Sequence, residues 1–271
     1  MKFKKFEDLT FSDDFIFGKV LTGNMELCRE LLELILNKKI GAVKIAESQK
    51  TIKQTYDSKG IRLDVYVEDE DAVYDIEMQT TFQKDLPKRT RYYQGIIDLN
   101  LIESGADYSE LRQSYIIFIC TSDPFGENLP VYTFKNICVE KNSLELKDEA
   151  VKVVINAAGC RDGLSQNMAA FLDFLQSQKV SDDFTEKLSD EVLRVKSSKD
   201  WRQDYMKLET MLMDARRDGR EEERKKNLFS SVCMMIDEGF SIDKIRSVML
   251  NRYGATIDET NNYIKQAKKS K

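Results

Sequence analysis

The 271-residue chain contains no histidine. That excludes the usual Ser-His-Asp and Cys-His forms of nucleophilic catalysis, and any metal held by imidazole. Proline is scarce (3) and glycine modest (12), so low-complexity linkers do not dominate the chain. The five cysteines, Cys28, Cys120, Cys138, Cys160 and Cys233, are scattered, odd in number and without a CxxC pair. This argues against a disulfide framework or a zinc knuckle, and Cys120, in "SYIIFIC", reads as a small buried hydrophobe. No apolar run is long enough to span a bilayer, and the opening "MKFKKFEDLTFSDDF" lacks the apolar stretch of a signal peptide. The expectation is a cytoplasmic protein without membrane association. Its chemistry must then come from carboxylates, amides, lysines and tyrosines, with or without a hard cation held by oxygen.

What is present is a 41% hydrophobic fraction, ample for a packed core, and a net charge of −5 that is unevenly spread. Residues 201–271 hold 15 Lys/Arg against 12 Asp/Glu, which leaves residues 1–200 at −8. Global acidity lends no support to non-specific nucleic-acid binding, although a local basic patch is compatible with it.

Residues 13–37 carry apolar positions at helical spacing, with Ser12 as the expected N-cap and Gly18 and Gly23 as expected break points. Residues 61–79, "IRLDVYVEDEDAVYDIEMQ", alternate with period two and read as a hairpin of two strands. A helix is expected over about 85–104. The continuous run 114–121 reads as a central strand covered on both faces, and "VYTFKNICVE" and "AVKVVINA" as further strands. Beyond about 160 the pattern is helical. Trp201, Tyr205, Leu208, Leu212 and Ala215 form a seam at spacings of four and three. The charged run 214–226 reads as a solvated helix or a hinge, followed by three short helices broken at Gly239 and Gly254. These readings give an α/β core with an all-helical C-terminal extension. The expected boundaries are 1–160 for the core, 161–226 for a helical extension packing on it, and 227–271 for a small helical module.

A hairpin centred between Glu70 and Asp71 sets Tyr66 opposite Asp75, Asp64 opposite Glu77, and Arg62 opposite Gln79. Two carboxylates facing each other on one sheet surface repel. Water, a basic side chain such as Arg62, or a divalent cation would relieve them. The cation gives the pair a chemical use, since carboxylate oxygens hold Mg²⁺ and the ion activates water beside a phosphoryl group. Gln79 shares that face, and its amide could orient the water or a phosphate oxygen.

The segment "LDVYVED…YDIEMQ" resembles the D…ExQ site of the Rpn family of recombination-promoting, transposase-like nucleases, within the PD-(D/E)xK superfamily. "FSDDFIFGKVL", "RTRYYQGIIDLNLIESGADYSEL" and "SYIIFICTSDPFG" are similar to flanking blocks of that family, so the resemblance covers about 8–215. It implies a restriction-endonuclease-like core of αβββαβ type, a mixed central sheet flanked by helices, and Mg- or Mn-dependent DNA endonuclease activity serving recombination. By position it implies that Asp64 and Glu77 are metal ligands together with the Met78 backbone carbonyl. It also implies that Gln79 stands where the superfamily has lysine. Asp14 is either a further acidic contributor or a helix cap.

The stretch "QKDLPKRTRYYQ" follows directly. Lys88, Arg89 and Arg91 are candidate phosphate contacts, with the guanidinium groups favoured for their forked geometry, and Tyr92 offers stacking or a hydrogen bond. DNA is the expected partner, with self-association through the C-terminal helices as the oligomeric expectation. The competing reading is a catalytically weak or inactive nuclease-derived DNA-binding or assembly protein, suggested by Gln79, the acidic charge and the helical extension. Nothing in the sequence separates DNA from RNA as substrate.

Overall fold

A computed structural model describes residues 4–52 and 60–269. The chain divides into two compact units, residues 1–202 and 203–271.

The first unit opens with α1 (Asp14–Gly23) and α2 (Met25–Leu36), which break at Asn24. Asn24 caps α2 by accepting from the Leu27 N–H at 3.0 Å. The expected cap at Ser12 is displaced by one residue. Asp13 holds the N-cap position, with its carboxylate taken by Thr10 and Lys4. The Ser12 hydroxyl donates instead to the Leu175 carbonyl. After α2 come β1 (Ile45–Ile52), β2 (Ile61–Glu68), β3 (Ala72–Gln79), α3 (Leu86–Leu101) and β4 (Gln113–Cys120), the αβββαβ order that the resemblance implies. Then follow β5 (Val131–Phe134), a small hairpin of β6 (Ile137–Cys138) and β7 (Lys141–Glu145), β8 (Ala150–Asn156), and helices α4 (Gln166–Ser177) and α5 (Asp183–Ser197).

The main sheet is mixed, in the order β1-β2-β3-β4-β8-β5. β4 pairs in parallel with β3 and with β8, and the other ladders are antiparallel. Seven of the eight β4 residues are buried, as a central strand covered on both faces requires. On one face α1 packs against β1 and β2; a Cβ added at Gly18 would meet the Ser48 side chain at 3.0 Å. On the other face α3 lies over Tyr66, Val73, Ile116 and Phe118 through Leu86, Ile96 and Ile97. This is the restriction-endonuclease-like α/β fold, with a helical extension at its C-terminus.

β1 had no alternation to announce it. It is an edge strand with one buried residue, Ile52, and polar residues along both faces. The helix α6 (Lys199–Asp237) begins in the last residues of the first unit, runs without interruption through the charged run, and is followed by α7 (Ile242–Tyr253) and α8 (Ile257–Lys269). The expected first short helix after 226 is therefore the end of a 39-residue helix. The seam is only partly used, because Tyr205 is buried while Leu212 and Ala215 are exposed. Leu228, Val232 and Met235 of α6 form a separate core with Ile245, Met249, Tyr263 and Ile264.

The β2–β3 turn fixes the register that places the acidic residues. The Asp69 N–H donates to the Ala72 carbonyl at 3.1 Å. The buried Asp69 carboxylate accepts from the Asp71 and Ala72 N–H groups and from the Tyr74 hydroxyl at 2.7–2.9 Å. The resulting ladder pairs Glu68 with Val73, Val67 with Tyr74, Tyr66 with Asp75 and Val65 with Ile76, the register expected from the sequence. Asp69→Ala strips the acceptor from two backbone donors and a buried hydroxyl. It is expected to lower the unfolding free energy by about 2–4 kcal/mol in urea titration. A loss below about 0.5 kcal/mol would show that the turn does not depend on this carboxylate.

Candidate active site

The β2–β3 ladder ends at Val65–Ile76, one pair short of Asp64 and Glu77. From there the strands part, and the two acidic side chains replace the backbone pairing. The Asp64 N–H donates to Glu77 Oε1 at 2.8 Å, and the Met78 N–H donates to Asp64 Oδ2 at 3.0 Å. The ladder on the other flank also skips Asp64. Ser48 pairs with Val65 and Lys50 with Leu63, and Gln49 between them has φ +57°. A non-glycine residue in the left-handed region within a strand marks a local irregularity. Asp64 therefore lies at a fork in the sheet, with strand geometry interrupted on both sides.

Each carboxylate spends one oxygen on a backbone N–H, leaving Asp64 Oδ1 and Glu77 Oε2. N–H and C=O of one residue point to the same side of a strand. The Met78 carbonyl thus turns toward β2, as its N–H does, while the Gln79 carbonyl turns toward β4 and accepts from the Thr121 N–H. Asp14, first residue of α1, is close enough for its charge to raise the Asp64 pKa. Among the described residues no three acidic or cysteine side chains come together as a metal cage. The donor set here is two carboxylate oxygens and a carbonyl. Hard oxygen donors of this kind fit Mg²⁺ or Mn²⁺, which complete their shell with water or phosphate.

The electrostatics also fit a cation. Burial, and then the nearby Asp14 charge, push Asp64 up to about 6. Burial, and then the Asp64 charge, push Glu77 up to about 8. Beneath them Asp75 is fully buried, and its carboxyl finds no partner but the Glu77 side chain beside it. Burial and the Glu77 charge raise its pKa well above the carboxylate range, favouring its neutral form. The sequence set Asp75 on the same strand face as Glu77 and opposite Tyr66. Its burial is the signal that alternation alone could not supply.

Arg62, the expected neutralising cation, is exposed. Its charge still lowers the Asp64 pKa, ahead of that of Arg89, while Arg89, from the first turn of α3, places its Nη2 3.6 Å from Glu77 Oε2. Its closer partners are neutral. Nη1 donates to Gln79 Oε1 at 2.8 Å and to Gln83 Oε1, and Nη2 donates to the Tyr93 hydroxyl at 3.2 Å. The guanidinium also lies against the rings of Phe118 and Tyr93, at 5.2 and 5.5 Å. Gln79 donates its amide to the Thr81 carbonyl and hydroxyl, so in this conformation both ends of that side chain are engaged within the chain. The remaining candidates lie on the outer face of α3. Lys88, Arg91 and Tyr92, with Arg62 and Asp85, line a groove of about 560 Å³ bordered by Arg89.

The raised carboxylates make a linkage prediction. A group whose folded pKa lies above its unfolded value stabilises the fold fully at low pH, and that contribution is lost as pH rises through the folded value. Relative to Glu77→Gln, the metal-free wild type is expected to lose a few kcal/mol of unfolding free energy between pH 4.5 and about 8. Parallel stability curves for the two proteins over that range would contradict the burial of a repelled carboxylate.

A family model described as PD-(D/E)XK nuclease family transposase matches residues 6–237. No curated protein and no solved structure matches the chain.

Proposed function

Because the chain belongs to the PD-(D/E)XK nuclease transposase family, with the nuclease-like function that this suggests, we propose that it is a divalent-metal-dependent DNA endonuclease. The observation that carries this reading is the fork at Asp64 and Glu77. Two carboxylates are brought together in a partly dry site, and backbone N–H groups fix one oxygen of each. Such a pair costs stability unless a cation joins it.

In this proposal Asp64 Oδ1, Glu77 Oε2 and the Met78 carbonyl hold Mg²⁺ or Mn²⁺. The bound ion would lower the pKa of a water and offset charge on the scissile phosphate. Asp64 and Glu77 are held in place by their backbone donors, so they need no reorganisation when substrate arrives. Asp14 adds negative charge beside Asp64 and strengthens the pull on a cation. Gln79 steadies Arg89 through its amide oxygen. Lys88 and Arg91, with Arg62, supply phosphate contacts along the groove, and the ring of Tyr92, 40% exposed there, offers a stacking surface for a base. Function in recombination and self-association through the C-terminal helices belong to the same proposal. So does a cytoplasmic location, and among the described residues no helix is long and apolar enough to cross a membrane.

Asp64→Asn and Glu77→Gln keep side-chain size but remove the ligand charge. Each is expected to reduce Mg²⁺- or Mn²⁺-dependent cleavage of plasmid DNA by at least about 10²-fold, while the circular dichroism spectrum is retained. EDTA should abolish wild-type cleavage. DNA binding without cleavage by the wild type would favour the assembly-protein reading. Preferential digestion of RNA in parallel reactions would change the substrate class.

A further inference from the structure

We infer that Arg89 supplies the positive charge of the reaction centre, from a helix rather than from the strand position where the superfamily pattern has lysine. The inference rests on the nuclease reading above. The strand position two residues beyond Glu77 holds Gln79, whose amide is neutral and hands its oxygen to Arg89 at 2.8 Å. A guanidinium on the first turn of α3 thereby reaches the place from which a strand lysine is missing.

The way Arg89 is held argues for more than an internal ion pair. A guanidinium serving only to neutralise Glu77 would close to hydrogen-bond distance, about 2.7–2.9 Å, in forked geometry. Arg89 instead stands off at 3.6 Å. Its short bonds go to Gln79, Gln83 and Tyr93, all uncharged groups. Phe118 and Tyr93 back the guanidinium. Asp64 and Glu77 meanwhile each accept a hydrogen bond from a backbone N–H. The cation is thus fixed beside the acidic pair by groups that do not cancel its charge. Electrostatic catalysis asks for this arrangement, a preset donor aimed at charge that develops later, in surroundings drier than bulk water.

In phosphodiester hydrolysis the water oxygen forms a bond to phosphorus, and the bond from phosphorus to one sugar oxygen breaks. The water gives up its proton and the leaving oxygen ends protonated. Arg89 transfers no proton. It donates hydrogen bonds to a non-bridging phosphate oxygen, where negative charge accumulates.

The experiment combines steady-state cleavage of plasmid DNA with Mn²⁺ titration of the DNA-free protein, followed by thermal shift. Arg89→Met is expected to lower kcat by about 10²-fold with KM changed by less than about 3-fold. Its Mn²⁺ affinity should be unchanged or tighter, because a repelling charge has gone. Arg89→Lys should regain part of the loss. Gln79→Lys combined with Arg89→Met should regain activity by returning the charge to the strand, an effect that a packing role would not produce. If Arg89→Met does not fold, the comparison of Arg89→Lys with wild type carries the test, with kcat lowered and Mn²⁺ affinity retained. Arg89→Met with kcat within about 3-fold of wild type would overturn the inference alone. So would a loss of activity matched by an equal loss of Mn²⁺ affinity, or no recovery in either lysine variant. A wild type that cleaves no nucleic acid with Mg²⁺ or Mn²⁺ would overturn the nuclease reading and this inference together.

Discussion

The exchange of hydrogen bonds at the β2–β3 fork governs the whole arrangement. Where the ladder stops after Val65–Ile76, two backbone N–H groups would be left without sheet partners, and a buried unpaired donor is costly. Asp64 and Glu77 take them instead. Those bonds hold the carboxylates still, but they do not cancel the charge. The fork is therefore satisfied as a backbone structure and unsatisfied as an electrostatic one. The proposed metal site draws on that imbalance more than on the presence of two acids in a hairpin.

The rest of the first unit serves this fork. The Asp69 turn fixes the strand register, so that Asp75, Glu77 and Gln79 fall on the face covered by α3. Parallel pairing of β3 with the buried strand β4 anchors the acidic strand along its length. The connection from β3 into α3 then returns Arg89 over the residues just passed. Strand, turn and helix form one short loop of chain, and the groove lined by Lys88, Arg91 and Tyr92 lies on its outer side.

The legible parts of the fold were those with a strong local pattern. β2 and β3 alternate and meet at a short acidic turn, so both strands and their register could be read. β4 is continuously apolar and had to be central. β1 gave no pattern because an edge strand can carry polar residues on both faces, and the length of α6 was hidden by Gly219 and a run of charge that alone fits either a helix or a hinge. At the site, Asp64, Glu77 and Gln79 followed from register and resemblance. The division of labour between Arg89 and Arg91 did not. Two residues along a helix differ by about 200° in direction, so only one of them can face the sheet, and α3's packing on Phe118 decides which. Asp75 was visible as a residue on the right face. Its complete burial depends on the helix laid over it, a tertiary fact that no strand pattern contains.

On this reading the fork holds a divalent cation between its two carboxylates. A crystal of the wild-type protein soaked in Mn²⁺ tests it most directly, through anomalous difference density. A single strong peak is expected between Asp64 Oδ1 and Glu77 Oε2, with the Met78 carbonyl turned toward it. An empty fork in the soaked crystal, or Mn²⁺ bound only elsewhere, would contradict it.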